Sequence, residues 1–169
     1  RAGGSGFDEG SAIAYHQDAV YVTGIFESIG EFHPGVETVS LRSSGSSDIF
    51  LQKLEAVDGD HLWLNQFGGT MQDVALDVHQ VPYGKVGVTG YFEGTADFSP
   101  NIDQQTFISA GEEDGFVTLV LECVPSYAEL ELTVCDGFTL TTPDSIITQS
   151  GVYTLILESS AGCDSIVTL

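Results

Sequence analysis

The sequence predicts an all-β chain: two copies of one antiparallel sheet unit, followed by a smaller β module. Three observations carry this expectation. The stretch Val20-Tyr21-Val22-Thr23-Gly24-Ile25-Phe26 returns as Val86-Gly87-Val88-Thr89-Gly90-Tyr91-Phe92, with Gly24 and Gly90 66 residues apart. Apolar residues within both stretches recur at every second position, the period of a strand that turns one side to a core. Beyond residue 122 the repeat stops and a different pattern, marked by Cys135 and Cys163, takes over.

The 66-residue shift also carries Phe32 onto Phe98, Pro34 onto Pro100, Asp48 onto Asp114 and Phe50 onto Phe116, while Gly3-Gly4 falls on Gly68-Gly69 after 65 residues. Self-similarity at a fixed period marks units that cannot bury their apolar faces alone and must stack. In copy 1 an alternating segment at Ile13 and Tyr15 leads through a turn at Gln17-Asp18 into Val20, Val22 and Phe26 on one side of a strand. Copy 2 repeats this with Val74, Leu76 and Val78, a turn at Pro82-Tyr83-Gly84, then Val86, Val88 and Phe92. A Pro-containing loop and two further extended segments follow in each copy, 39–41 and 49–54 matched by 106–108 and 116–120. Asp58-Gly59-Asp60 reads as a hairpin turn. Each copy is thus a four-stranded antiparallel meander, the content of one propeller-type blade, spanning residues 1–66 and 67–122. The recurring phenylalanines are core residues first. Tyr21 and Tyr91 are expected on opposite strand faces, so they make no shared stacking shelf.

The residues Trp63, Gln66-Phe67-Gly68-Gly69-Thr70, Asp73, Ala75 and the run from Val88-Thr89-Gly90-Tyr91-Phe92 through Glu93-Gly94-Thr95-Ala96-Asp97-Phe98 resemble the bacterial β-propeller repeat called the SBBP repeat. The resemblance covers residues 1 to 122 and implies a fold, with no catalytic signature. Copy 1 departs from it in the loop, with Ser28-Ile29-Gly30-Glu31-Phe32 where copy 2 has Gly94-Thr95-Ala96-Asp97-Phe98. Arg1-Ala2-Gly3-Gly4 aligns with Gln66-Phe67-Gly68-Gly69, so a strand equivalent to that of Trp63 is expected upstream of the sequence, and further blades from the same polypeptide or from neighbouring subunits. An open stack pairing edge to edge is the other arrangement that repeats permit.

Residues 123–169 read as a separate small β-sandwich, immunoglobulin-like, with strands at Leu130, Leu132 and Val134, at 152–157, and at 166–169. Val134-Cys135-Asp136-Gly137-Phe138-Thr139, Ser150-Gly151-Val152-Tyr153-Thr154 and Ala161-Gly162-Cys163-Asp164-Ser165-Ile166-Val167-Thr168-Leu169 are similar to tandem modules near the C-termini of large proteins exported by gliding-type Gram-negative bacteria. The resemblance implies export, often by the type IX route, a role as spacer, and an extracellular or outer-surface location. Cysteine usage agrees: a bond between Cys135 and Cys163 would close a long loop, contribute about 3 to 4 kcal/mol in the chain-entropy model, and require an oxidising compartment. Cys123 then pairs outside this segment or stays a small buried thiol.

Composition narrows the function classes. With 25 acidic against 4 basic residues the net charge is −21, which repels phosphate backbones and anionic headgroups, so nucleic-acid and basic membrane-surface binding are not expected. No apolar run approaches the roughly 20 residues that span a bilayer. His16, His33, His61 and His79 have no paired spacing, and Gly4-Ser5-Gly6 lacks the frame of a nucleophile elbow or dinucleotide loop. A catalytic role is therefore not expected. Calcium is the cofactor that acidic exported β-proteins use, and the alternating Asp97, Ser99, Asn101 and Asp103 make the best cluster, with Asp97 and Asp103 as carboxylate ligands. The bland alternative is a solvated acidic face. The expected function is a structural or adhesive segment of a large exported or cell-surface protein. The alternatives are the non-catalytic portion of a secreted hydrolase, or a subunit of an extracellular filament.

Overall fold

The computed structural model describes residues 2–32, 38–82, 84–99, 105–122, 126–131, 139–141, 146–149, 151–157 and 165–169, and these contain strands and turns with no helix. The chain divides into two compact units, Arg1–Leu121 and Glu122–Leu169.

In the first unit, copy 1 is built from β1 (Ala2–Gly4), β2 (Asp8–His16), β3 (Ala19–Phe32) and β4 (Val39–Glu55), and copy 2 from β6 (Asp73–Val81), β7 (Lys85–Asp97) and β8 (Thr106–Leu121). Between them runs β5 (His61–Gly69). Gln17 and Asp18 both take positive φ, 45° and 59°, and close a two-residue hairpin between His16 and Ala19, the backbone that matches strand twist. From there β2, β3, β4 and β5 follow as an antiparallel meander. The register repeats: Asp73 stands opposite Phe92 as Asp8 stands opposite Phe26. Thr23 Oγ1 donates to the Phe50 carbonyl at 2.8 Å, and Thr89 repeats the bond to Phe116 at 2.9 Å.

β5 links the copies. It pairs with β4 as far as Phe67, then Gly68 and Gly69 pair with Asp97 and Ala96 of β7, as Gly3 and Gly4 pair with Glu31 and Gly30 of β3. A Cβ on Gly69 would run into the Thr95 carbonyl, and one on Gly90 into that of Val74, so these two repeated glycines are required by close backbone approach.

One expectation is corrected here. Segments 39–41 and 49–54 belong to one strand, β4, and 106–108 and 116–120 to one strand, β8. The Ser- and Gly-rich residues 43–46 resemble a turn in sequence, yet they form a wide bulge opposite Ser28, with pairing resumed on both sides. Ser43 Oγ accepts from the Ser28 N–H at 2.9 Å, and Ser109 Oγ accepts from the Gly94 N–H at 2.9 Å in the equivalent bulge of copy 2. The fourth meander strand is therefore β5, which carries Trp63.

The core lies in the seam between the copies. Ala19, Tyr21, Ile49 and Leu51 of copy 1 pack against Ala75, Val78, Val86, Val88, Phe92, Phe98 and Val120 of copy 2 in one buried cluster. The copies use opposite faces. Copy 1 buries Tyr21 and Leu51, whose counterparts 66 residues on are Gly87 and Val117; copy 2 buries Val86 and Val88, counterparts of the half-buried Val20 and Val22. Phe26, Phe32 and Phe50 form a smaller cluster on the other side of copy 1. Tyr91 takes the place of Ile25, which lies four residues from Tyr21 along alternating positions and hence on the same face, so the expected opposition is also corrected. The two tyrosines still share no shelf, because Tyr21 is closed in the seam while Tyr91 stays half-buried on copy 2.

The second unit contains β9 (Ser126–Glu129), β10 (Leu140–Thr141), β11 (Ile146–Ile147), β12 (Thr154–Leu157) and β13 (Ser165–Thr168). β12 and β13 are antiparallel, β13 and β9 parallel, and β10 pairs with β11. Leu130, expected to open a strand, instead follows the end of β9 outside any strand, and Leu132 and Val134 lie outside the described residues.

Candidate functional site

Four aspartates close the same kind of loop. Asp8 and Asp73, each beginning a strand, accept an N–H from four residues back: Gly4 to Asp8 Oδ2 at 2.6 Å and Gly69 to Asp73 Oδ2 at 2.7 Å. Asp48 and Asp114 do so at the far side of the bulges, from Ser44 at 3.1 Å and Ala110 at 2.7 Å. Carboxylates suit this task because they accept several N–H bonds at once.

Stacking of the copies brings one member of each kind together. Gly68 lies between them: a Cβ there would stand 2.6 Å from Asp73 Oδ2 and 3.0 Å from Asp48 Cγ. Asp48 is 1% exposed and Asp73 fully enclosed. Gln66 Nε2 donates to Asp48 Oδ2 at 2.6 Å and to the Arg42 carbonyl at 2.8 Å, which fixes the amide between bulge and seam. Ser47 Oγ donates across the seam to the Asp73 carbonyl at 3.4 Å. The two Oδ1 atoms are buried without a hydrogen-bond partner among the described residues.

Two enclosed carboxyl groups cannot both ionise cheaply. Burial pushes Asp73 up to about 7, the Gly69 amide opposes that, and the charges of Asp48 and Glu93 add to it. Burial also raises Asp48, against the hydrogen bonds from Gln66 and Ser44. Asp73 therefore keeps its proton in the seam up to about pH 7, and the Asp48 charge beside it helps to hold it there.

Beside the pair a polar cavity of about 220 Å³ is lined by Ser44, Asp48, Gly68, Asp97 and Ser99 among others. Small-molecule pockets usually start near 300 Å³ and are mostly apolar. Of the residues the sequence nominates for calcium, Asp97 ends β7 and its Oδ1 accepts both the N–H and the Oγ–H of Ser99 at 2.9 Å, a self-contained Asx turn. Asn101 and Asp103 lie outside the described residues, as do Cys123, Cys135, Cys163 and His33. His61 Nδ1 faces Gln52 Nε2 at 3.3 Å. Among the described residues no group of three or more His, Cys, Asp or Glu is placed to hold a metal ion.

In the sequence Asp48 is a repeat landmark without a role and Asp73 a motif residue. The shared spacing of Asp8 and Asp73 with Gly3-Gly4 and Gly68-Gly69 is the signal that both close the same turn. That Asp48 meets Asp73 follows only from the stacking. Comparison with protein-family models, curated proteins and solved structures returns no match for the chain.

Proposed function

We propose that this chain is a non-catalytic structural or adhesive segment of a large exported, cell-surface or extracellular bacterial protein. Two propeller-type blades form its rigid body, and residues 123–169 form an immunoglobulin-like spacer. The observation that carries the reading is the division of labour between copies: each covers one face of its partner and keeps the opposite face, so the unit is suited to an array. Several of the described polar side chains serve this architecture. Asp8, Asp48, Asp73 and Asp114 close turns and bulges, and Thr23 and Thr89 tie neighbouring strands. A disulfide between Cys135 and Cys163 belongs to the same reading, which places the chain outside the cytoplasm.

The test is location. Antibodies raised against the full chain should label intact producing cells or the culture medium. Signal confined to the cytoplasmic fraction overturns the export reading, and hydrolytic activity of the isolated chain overturns the non-catalytic one.

A further inference from the structure

The internal seam shows which two faces fit each other, and the same two faces recur bare on the outer sides of the pair. On copy 2, Val117 is 76% exposed, whereas Leu51 at the equivalent position of copy 1 is fully buried. Thr89 lies opposite Val117 in the ladder and is exposed, whereas Thr23 is enclosed. Leu119 and Leu121 continue this strip along β8, with Asp77 and His79 of β6 at its side. On copy 1, Ile13 is 71% exposed, whereas Val78, its equivalent, is 3% exposed in the seam. Tyr15 beside it is exposed, and Val20, Val22 and Leu54 complete the face half-buried, where Val86, Val88 and Val120 are enclosed in copy 2.

We infer that the bare face of copy 2 receives the bare face of copy 1 from a second copy of this chain, stacked head to tail as copy 2 is stacked on copy 1. This rests on the repeat-array reading above and extends it by naming the occupant and the residues. The surfaces differ from each other, so the contact is heterologous and propagates beyond a dimer. The carboxyl frame fits too. Asp8 keeps a buried Oδ1 without a partner among the described residues, and Asp114 is half-buried; the stack sets this second pair where Asp73 and Asp48 stand in the first. The contact is face to face, distinct from pairing of strand edges.

Self-association works against a net charge of −21, so it strengthens with salt as the screening length falls to about 3 Å at 1 M. Sedimentation velocity of the full chain over a concentration series at high salt should show species growing past the dimer. Val117→Glu blocks one face and Ile13→Glu the other, each weakening association at least about a hundredfold, because a charge left unpaired in a contact is costly. Leu119→Glu and Tyr15→Glu repeat the two blocks independently. Both sites are exposed, so the urea transition of each variant should match that of the parent. The two variants mixed should form one heterodimer and stop there, since each retains one open face. A parent chain that stays monomeric overturns the inference, whether the second unit covers a face or nothing does. So does association that survives both substitutions, or either variant dimerising alone as well as the parent. An exported chain that stays monomeric would leave the proposed function standing.

Discussion

Replacing Asp73 by asparagine should stabilise the first unit at pH 8 and do progressively less as the pH falls toward 4. The folded chain holds the Asp73 proton up to about pH 7, whereas an ordinary aspartate releases it at 3.8. Between these values the folded state binds more protons than the unfolded one, so stability falls as pH rises, and above 7 the whole cost is present. A displacement from 3.8 to about 7 corresponds to up to about 4 kcal/mol. The carboxamide keeps an acceptor for the Gly69 amide and puts an N–H where the Asp73 Oδ1 stands buried without a partner among the described residues. Trp63 reports on the process: it is the chain's one tryptophan, packed against the seam with its ring 6.2 Å from that of Tyr21. Urea titrations followed by its fluorescence at several pH values give the stability of both proteins. Their difference should rise from near zero at pH 4 to a plateau above pH 7. With so many other carboxylates, absolute stability moves with pH for several reasons, so the difference curve is the quantity to read. A flat difference, or a variant less stable at pH 8, would refute a protonated carboxyl in the seam.

Further substitutions test the packing. Gly90→Ala forces a Cβ into the Val74 carbonyl and should cost at least about 3 kcal/mol in the same urea assay, with failure to accumulate as folded protein counting the same way. Leu51→Ala should cost about 2 to 5 kcal/mol and Val117→Ala within about 0.5 kcal/mol in dilute solution, because one copy of this position is enclosed and the other is bare. Ser28 holds φ at +64° where copy 2 has Gly94 at +69°, so Ser28→Gly should raise stability by up to about 1 kcal/mol and Gly94→Ser lower it by at least as much, since the new Cβ meets Met71 Cγ at 2.9 Å. Reduction of the proposed Cys135–Cys163 bond should cost the second unit about 3 to 4 kcal/mol of stability, lowering its calorimetric melting temperature while leaving the Trp63 transition in place.

Strand content, the repeat and the sites of several turns were legible in the chain by itself, because they are local. Period-two alternation at Val86, Val88 and Phe92, the Gln17-Asp18 hairpin and the Gly59 turn, with φ at 80°, each depend on a few adjacent residues. The same local reasoning split β4 at its serines, since a bulge held by Ser43 and Asp48 has the composition of a turn and differs from one only in what lies across the ladder. Which face of each copy is buried was decided by tertiary structure alone. Val20 and Val86 occupy one frame position in near-identical strands, yet only Val86 is enclosed, because a sheet has two sides and its neighbour selects between them. The meeting of Asp48 with Asp73 arises in the same way: each loop dictates its own carboxylate, and the stacking of one copy on the other sets the two against a single glycine.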